Sequence, residues 1–310
     1  MSSPFSVLSL KNQNQDPLEF SNELGLNFMQ WGFCGIKDHS IDEALVKEVV
    51  GIFRHFFSLS EEVKKQYYDP SLGGSRGYTP YQIETPKGGI SPDMKEFWHV
   101  GRELTLDHPY RQWMPSNYVV EEVPDFKDKT QELYDQFDKL GKTILSSLAL
   151  YLNLGDTYFD KVVNEGNSIM RPIHYPAIES SEKGERAGAH EDINLITLLI
   201  GGHQSGLELL SKEGKWEKIN LDADVIVCNI GDMLQRLTNN YLKSTTHRVT
   251  ASSNEVLSSR YSIPFFVHPN PDWFIDTLKS FVTEENPNNY KEGILAEDYL
   301  RERLQEIKLI

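Results

Sequence analysis

At 310 residues and 39% hydrophobic content, the chain holds enough apolar material for a large buried core in one large domain or two smaller ones. Its 46 acidic against 31 basic residues give a net charge of −15, which excludes the concentrated basic surface that nucleic acid or an anionic membrane requires. Cys34 and Cys228, the only cysteines, lie far apart in sequence and form neither a disulfide framework nor a CxxC metal knuckle, so a reducing cytoplasm is expected.

Residues 1–10 lack the basic and apolar regions of a signal peptide, and no apolar run approaches the roughly 20 residues of a membrane span. A short extended segment is expected around Phe5-Ser6-Val7-Leu8, then a polar loop. Leu18, Leu24, Leu26 and Phe28 predict a helix over 17–30, broken before Gly32, and Phe33-Cys34-Gly35-Ile36 a short strand. A second helix is signalled by Ser40 as N-cap, Asp42-Glu43 in its first turn and an apolar face through Phe53, Phe56 and Phe57; Ser60 starts a third. From 69 to 92 the composition shifts to Gly, Pro, Ser and Thr, a long loop carrying Tyr78 and Tyr81. Residues 93–100 are expected in a sheet and 101–124 to be irregular. The clearest helix covers 124–154, where Leu133, Phe137, Leu140, Ile144 and Leu148 form one buried stripe.

After Gly166 short strands alternate with turns. The candidates are 169–175, 189–200, 207–210, 216–219, 225–229, 246–250 and 261–267, with turns at Lys183-Gly184, Gly201-Gly202, Glu213-Gly214 and Asn239-Asn240. That pattern indicates a sandwich, barrel or jelly roll. A tail helix over 296–309 places Tyr299, Leu300, Leu304 and Ile307 on one side.

The chemistry centres on His190-Glu191-Asp192. In an extended segment His190 and Asp192 share a face, and the apolar run Leu195-Ile196-Thr197-Leu198-Leu199-Ile200 favours a strand beside them. Two imidazoles and one carboxylate make the facial triad suited to Fe(II), so a second histidine is required. Of the others, His39, His55, His99, His108, His203 and His268 read as surface, capping or packing residues. His247, before a strand in Ser244-Thr245-Thr246-His247-Arg248-Val249, is a ligand candidate by context, although on residue type alone a bland packing role is the commoner one. Arg260 and Ser262 share a face of a strand that runs into Ile263-Pro264-Phe265-Phe266-Val267. A guanidinium buried there needs an anionic partner, and a guanidinium with a hydroxyl beside it matches a carboxylate.

These stretches, with Gly206-Leu207-Glu208-Leu209, Trp216, Asn229-Ile230-Gly231-Asp232-Met233-Leu234-Gln235, Trp31-Gly32-Phe33, His39, Gly77-Tyr78 and Lys95-Glu96, occur in an order that resembles the isopenicillin N synthase-like branch of the 2-oxoglutarate/Fe(II)-dependent oxygenases. The likeness covers nearly the whole chain. It implies a mainly β fold with flanking helices, around a double-stranded β-helix (jelly-roll) core. It implies Fe(II) at His190, Asp192 and His247, with Arg260 and Ser262 on the distal carboxylate of 2-oxoglutarate and Tyr175 adding a hydroxyl. The expected division is 1–165 as an N-terminal mixed region, 166–275 as the oxygenase core and 276–310 as a helical tail, packed as one unit. Where many plant relatives have Asn, this chain has Ile173, which bears on one cosubstrate contact; Glu191 and Asn194 also depart from the common residues.

The reaction so implied consumes O2 and 2-oxoglutarate, releases succinate and CO2, and hydroxylates, desaturates or cyclises a small organic substrate. Tyr78, Tyr81, Phe97, Trp98 and Phe266 are the candidate substrate wall. An oxidase of the isopenicillin N synthase type, using O2 without 2-oxoglutarate, and a non-catalytic jelly-roll binding protein are the alternatives. The protein is expected to act as a monomer or weak homo-oligomer.

Overall fold

The computed structural model describes residues 3–85, 91–177, 185–202, 206–250 and 258–307. The expected turn at Lys183-Gly184, His203, and the Pro86 and Gly88-Gly89 part of the long loop lie outside these.

Helix Pro17–Trp31 begins as its sequence dictates. Proline occupies the first turn, where no backbone donor is needed, and the Asp16 side chain accepts from the Glu19 amide at 3.0 Å. It ends on Gly32 in the left-handed conformation (φ 70°). A side chain there would also strike Thr245 Oγ1 and the Lys243 carbonyl, so the glycine lets the helix end rest on the segment leading to His247; Thr245 Oγ1 donates to the Trp31 carbonyl at 2.8 Å. The second helix, Glu43–Ser58, is capped by Asp42 rather than Ser40, because the Asp42 carboxylate accepts from the Ala44 amide at 2.8 Å. Ser60 does cap the third, Glu61–Lys65. The polar stretch expected as a loop after Leu8 forms a short helix, Leu10–Gln15, following strand Val7–Ser9.

Two facing sheets make the core, as the jelly-roll expectation requires. The larger runs in the order Val7–Ser9, Phe33–Lys37, Ile226–Ile230, Ile196–Ile200, Arg260–Val267, Ile169–Met170, Glu96–Gly101 and Gly77–Thr79, with Ile173–Tyr175 pairing to both Arg260–Val267 and Glu96–Gly101. The smaller runs Trp216–Lys218, Leu207–Leu210, His247–Val249 and Ala187–His190. N-terminal strand Phe33–Lys37 thus pairs directly with Ile226–Ile230 of the core. Between the sheets pack Phe33, Phe97, Ile173, Leu207, Leu209, Val227 and Val249. The outer face of the large sheet carries the helices. Helix Phe126–Tyr151 buries its Leu133, Phe137, Leu140, Ile144 and Leu148 stripe there, and Phe137 stacks on Phe265 with ring centroids 5.2 Å apart. Cys34 and Cys228, far apart in sequence, are directly opposite on paired strands, both buried and both free; burial raises each thiol's pKa, which makes them inert core residues.

Three segments differ from the sequence reading. The expected strand 189–200 is two strands, Ala187–His190 and Ile196–Ile200, with a bend between. The expected strand 169–175 breaks at Arg171-Pro172, because proline cannot continue the ladder. A helix, Asp232–Leu237, to which the sequence reading assigned no element, follows strand Ile226–Ile230 and leads into the turn expected at Asn239-Asn240. Among the described residues no helix is long and apolar enough to cross a membrane.

Candidate active site

Strand pairing brings the histidines together. His247 is directly opposite His190 in the small sheet, with ring centroids 4.4 Å apart. Asp192 arrives by a different route from the one the alternation of an extended strand gives. The strand ends at His190, and the chain bends so that Asp192 Oδ1 lies 3.7 Å from both His190 Nε2 and His247 Nε2. Helix Asp232–Leu237 clamps that bend. The amides of Gly231, Asp232 and Met233 donate to the carbonyls of Leu195, Asp192 and Asn194 at 2.9, 2.9 and 3.1 Å. A Cβ at residue 231 would sit 2.2 Å from the Asn194 carbonyl, so only glycine permits the approach.

The three donor atoms lie within 4.8 Å of one another. Protein nitrogen and oxygen ligands bind first-row metals at about 2.0–2.2 Å, so atoms 3.7 Å apart can share one ion. Their orientation is fixed from behind. His190 Nδ1 faces the Gly188 carbonyl at 2.7 Å and His247 Nδ1 the Thr245 carbonyl at 3.1 Å, which sets the proton on Nδ1 and leaves each Nε2 lone pair inward. Asp192 Oδ2 accepts from Thr197 Oγ1 at 2.6 Å and Asn229 Nδ2 at 2.7 Å, and Asn194 Nδ2 donates to Thr197 Oγ1 at 2.8 Å. Burial, then the charge of His247, pushes the His190 pKa down to about 4, so its ring is neutral at physiological pH. Burial would raise the pKa of Asp192, but the two histidines and the Thr197 and Asn229 hydrogen bonds outweigh it and hold the carboxylate ionised. Two imidazoles and one carboxylate on one side, supported in this way, fit Fe(II).

Two cavities meet at this cluster, sharing Lys95, Arg171, His190, Asp192 and Phe266 as wall residues. The narrow one, about 60 Å³, also contains His247, Tyr175, Arg260 and Ser262 in its wall. Arg260 is directly opposite Tyr175 across the strand pair, its guanidinium 5.1 Å from that ring, and Ile173 faces Ser262. Ile173 thus puts an apolar side chain on the wall of this cavity. The wide cavity, about 400 Å³, is bounded by Glu84, Asp93, His99, Asp232 and His268, by Leu300 and Leu304 of the C-terminal helix Ala296–Glu306, and by Ile307, which caps that helix.

Of the aromatic residues expected on the substrate wall, Phe266 lines both cavities. Tyr78 and Trp98 do not line them and require correction. They pair across neighbouring strands on the face turned to the helices, where both contact Phe56 and Tyr78 donates to Glu96. Phe97 points inward but is covered by Arg171 and packs between the sheets. Tyr81 is half-buried and is not among the residues lining either cavity.

Conversely, sequence reasoning assigned Thr197, Asn194 and Asn229 no role in holding Asp192, and read His99 and His268 as bland. A polar residue inside the apolar run Val225-Ile226-Val227-Cys228-Asn229-Ile230 was the available signal, since a buried amide needs partners. Replacing Thr197 with valine is expected to weaken metal binding about 10- to 100-fold by freeing Asp192, as metal titration of the purified variant checks.

Residues 4–122 match the model of the N-terminal region of the non-haem dioxygenase in morphine synthesis, and residues 166–269 that of the 2OG-Fe(II) oxygenase superfamily. The 2-oxoglutarate-Fe(II) type oxidoreductase hxnY of Emericella nidulans is 34% identical over 285 residues, covering 87% of this chain and 79% of that protein. The crystal structure of a 2OG-Fe(II) oxygenase family protein from Caulobacter crescentus superimposes with a TM-score of 0.92 at 43% identity, over 99% of this chain and 100% of that one. A full-length Neurospora crassa protein in complex with alpha-KG and thymine gives 0.85 at 27% identity, over 97% and 96% of the two chains. The site geometry and these likenesses agree, and the chain belongs to the isopenicillin N synthase-like branch of the 2-oxoglutarate/Fe(II)-dependent oxygenase superfamily as a non-haem dioxygenase acting on a small molecule.

Proposed function

We propose that His190, Asp192 and His247 hold the Fe(II) of this dioxygenase, that Arg260, Ser262 and Tyr175 bind the distal carboxylate of 2-oxoglutarate, and that the wide cavity takes the organic substrate. The observation that carries this reading is the meeting of the two cavities at the metal-type cluster, with the cation and hydroxyls in the narrow one. Iron with 2-oxoglutarate supplies O2 activation coupled to decarboxylation to succinate and CO2. The chain does the rest. Arg260 offers a fork of donors matched to a carboxylate, and Ser262, two residues along the same strand, a further hydroxyl. Leu199, Leu207 and Val249 line the narrow cavity with apolar surface that limits competing water. Phe266 and the C-terminal helix orient the substrate so that the C–H to be hydroxylated, desaturated or used in ring closure faces the metal.

A volume of about 400 Å³ suits a small molecule, and the thymine held by the Neurospora crassa protein supports a substrate of that scale. We assign the protein to the cytoplasm on its two free buried thiols, and read segments 1–165, 166–275 and 276–310 as one working unit, monomeric or weakly self-associating. The test is anaerobic addition of Fe(II) and 2-oxoglutarate, in which a metal-to-ligand charge-transfer band is expected, followed by succinate release in proportion to substrate consumed. O2 uptake with no oxoacid requirement eliminates the reading.

A further inference from the structure

Strand Ala187–His190 is at the edge of the smaller sheet, with His247–Val249 as its one strand neighbour among the described residues. Their pairing is interrupted just before the ligand. His190 stands opposite His247 and Ala187 opposite Val249, so Gly188 and Ala189 share the single partner Arg248, a bulge that takes the backbone there out of a regular ladder. The Gly188 carbonyl nevertheless carries the Nδ1 contact that aims His190 at the metal-type cluster. What holds that glycine comes from the N-terminal half of the chain. Its amide donates to Asp93 Oδ1 at 2.8 Å, and the Met94 amide donates to the Glu185 carbonyl at 3.1 Å, so residues 93–94 run along the open edge.

Asp93 is itself fixed. Its Oδ2 accepts from Lys95 Nζ at 2.7 Å, Lys95 reaches Glu84 Oε2 at 2.7 Å, and the Asp93 amide donates to the Glu84 carbonyl at 2.9 Å. Asp93 and Lys95 are only 5% and 6% exposed. Ion pairs buried this deeply contribute little net stability, so a positional role accounts for them better than a stabilising one. We propose that Asp93 is a positioning residue for the metal site: it locks Gly188, whose carbonyl sets the His190 ring, and Lys95 with Glu84 keeps Asp93 in place. This rests on His190 being a metal ligand.

The test compares Asp93→Ala with Asp93→Asn. Both remove the charge beside Lys95, so both should lower the melting temperature alike, but the asparagine Oδ1 can still accept from Gly188. Asp93→Ala is expected to weaken Mn(II) binding about tenfold, the low end for a residue behind a ligand's own partner, and to shift the visible bands of bound Co(II). Asp93→Asn should bind Mn(II) within about threefold of wild type and leave the Co(II) bands in place, because a neutral acceptor keeps part of a charge-assisted bond. In metal-free wild type and Asp93→Asn the Gly188 amide should exchange with solvent slowly by NMR, and at least about tenfold faster in Asp93→Ala. Equal loss of Mn(II) affinity in both variants, or no loss in Asp93→Ala, overturns the proposal. So does fast exchange of the Gly188 amide in wild type, a measurement that needs no variant to fold. His190→Ala, run beside these, separates the two readings. If it keeps wild-type Mn(II) affinity the ligand assignment fails and this proposal with it, whereas loss of affinity there with none in Asp93→Ala overturns the role of Asp93 alone.

Discussion

Replacing His247 with alanine is expected to abolish Fe(II) binding at micromolar metal, and turnover with it. His247 supplies one of three donor atoms, and its Nε2 is 3.7 Å from Asp192 Oδ1. Disturbing residues that merely support a metal ligand costs about 10- to 100-fold in affinity, so deleting a ligand should cost more. His190→Ala should behave alike, because the two rings stand opposite each other and, among the described residues, these are the two histidines that join Asp192 in a metal-type group. His247 also meets Phe33 edge-on at 5.5 Å, so the variant's melting temperature is measured beside metal affinity to separate a lost ligand from a loosened core. Iron affinity like that of wild type in both variants, measured anaerobically by titration, would remove these residues from the site.

Arg260→Ala is expected to raise the KM for 2-oxoglutarate by an order of magnitude or more, with Fe(II) affinity nearly unchanged. The guanidinium is buried in the narrow cavity, where a charge-assisted pair with a ligand carboxylate is worth about 2–5 kcal/mol. Arg260→Lys should recover part of the loss, since an ammonium keeps the charge but not the planar fork. Steady-state kinetics at varied 2-oxoglutarate, with metal affinity measured in parallel, decides the point. An unaltered KM would mean that the carboxylate binds elsewhere.

Which parts of this site were legible in the sequence follows from the range of the forces involved. Alternation along a strand is local, so placing Arg260 and Ser262 on one face needed only the recognition of a strand, and strand Arg260–Val267 bears that out. The same logic applied to His190 and Asp192 put them side by side for an incomplete reason. The chain leaves the strand after His190, and what returns Asp192 to the cluster is hydrogen bonding to Gly231, Asp232 and Met233, nearly forty positions away. Tyr78 and Trp98 were misplaced because strand Glu96–Gly101 is buried on both faces. With no polar side to mark the outside, its sequence cannot say which aromatic rings meet helices and which meet the cavity.

By itself, the sequence determined the elements, the ligand types and the family order: helices through capping and apolar period, strands through β-branched runs and turns, and a His-x-Asp with a distant His. These are short-range properties of side chains and backbone. The tertiary structure alone decided what stands behind and around those groups. Thr197 and Asn229 orient Asp192 from two separate strands, and Asn194 in the bend braces Thr197. The amphipathic tail helix, whose sequence showed an apolar face without its partner, closes the wide cavity. Asp232 Oδ2 accepts from the Tyr299 hydroxyl, a contact that ties the tail helix to the segment behind the cluster across 67 positions of sequence. Such features depend on which segments meet, and the free energy of that meeting belongs to the packed whole rather than to any one stretch.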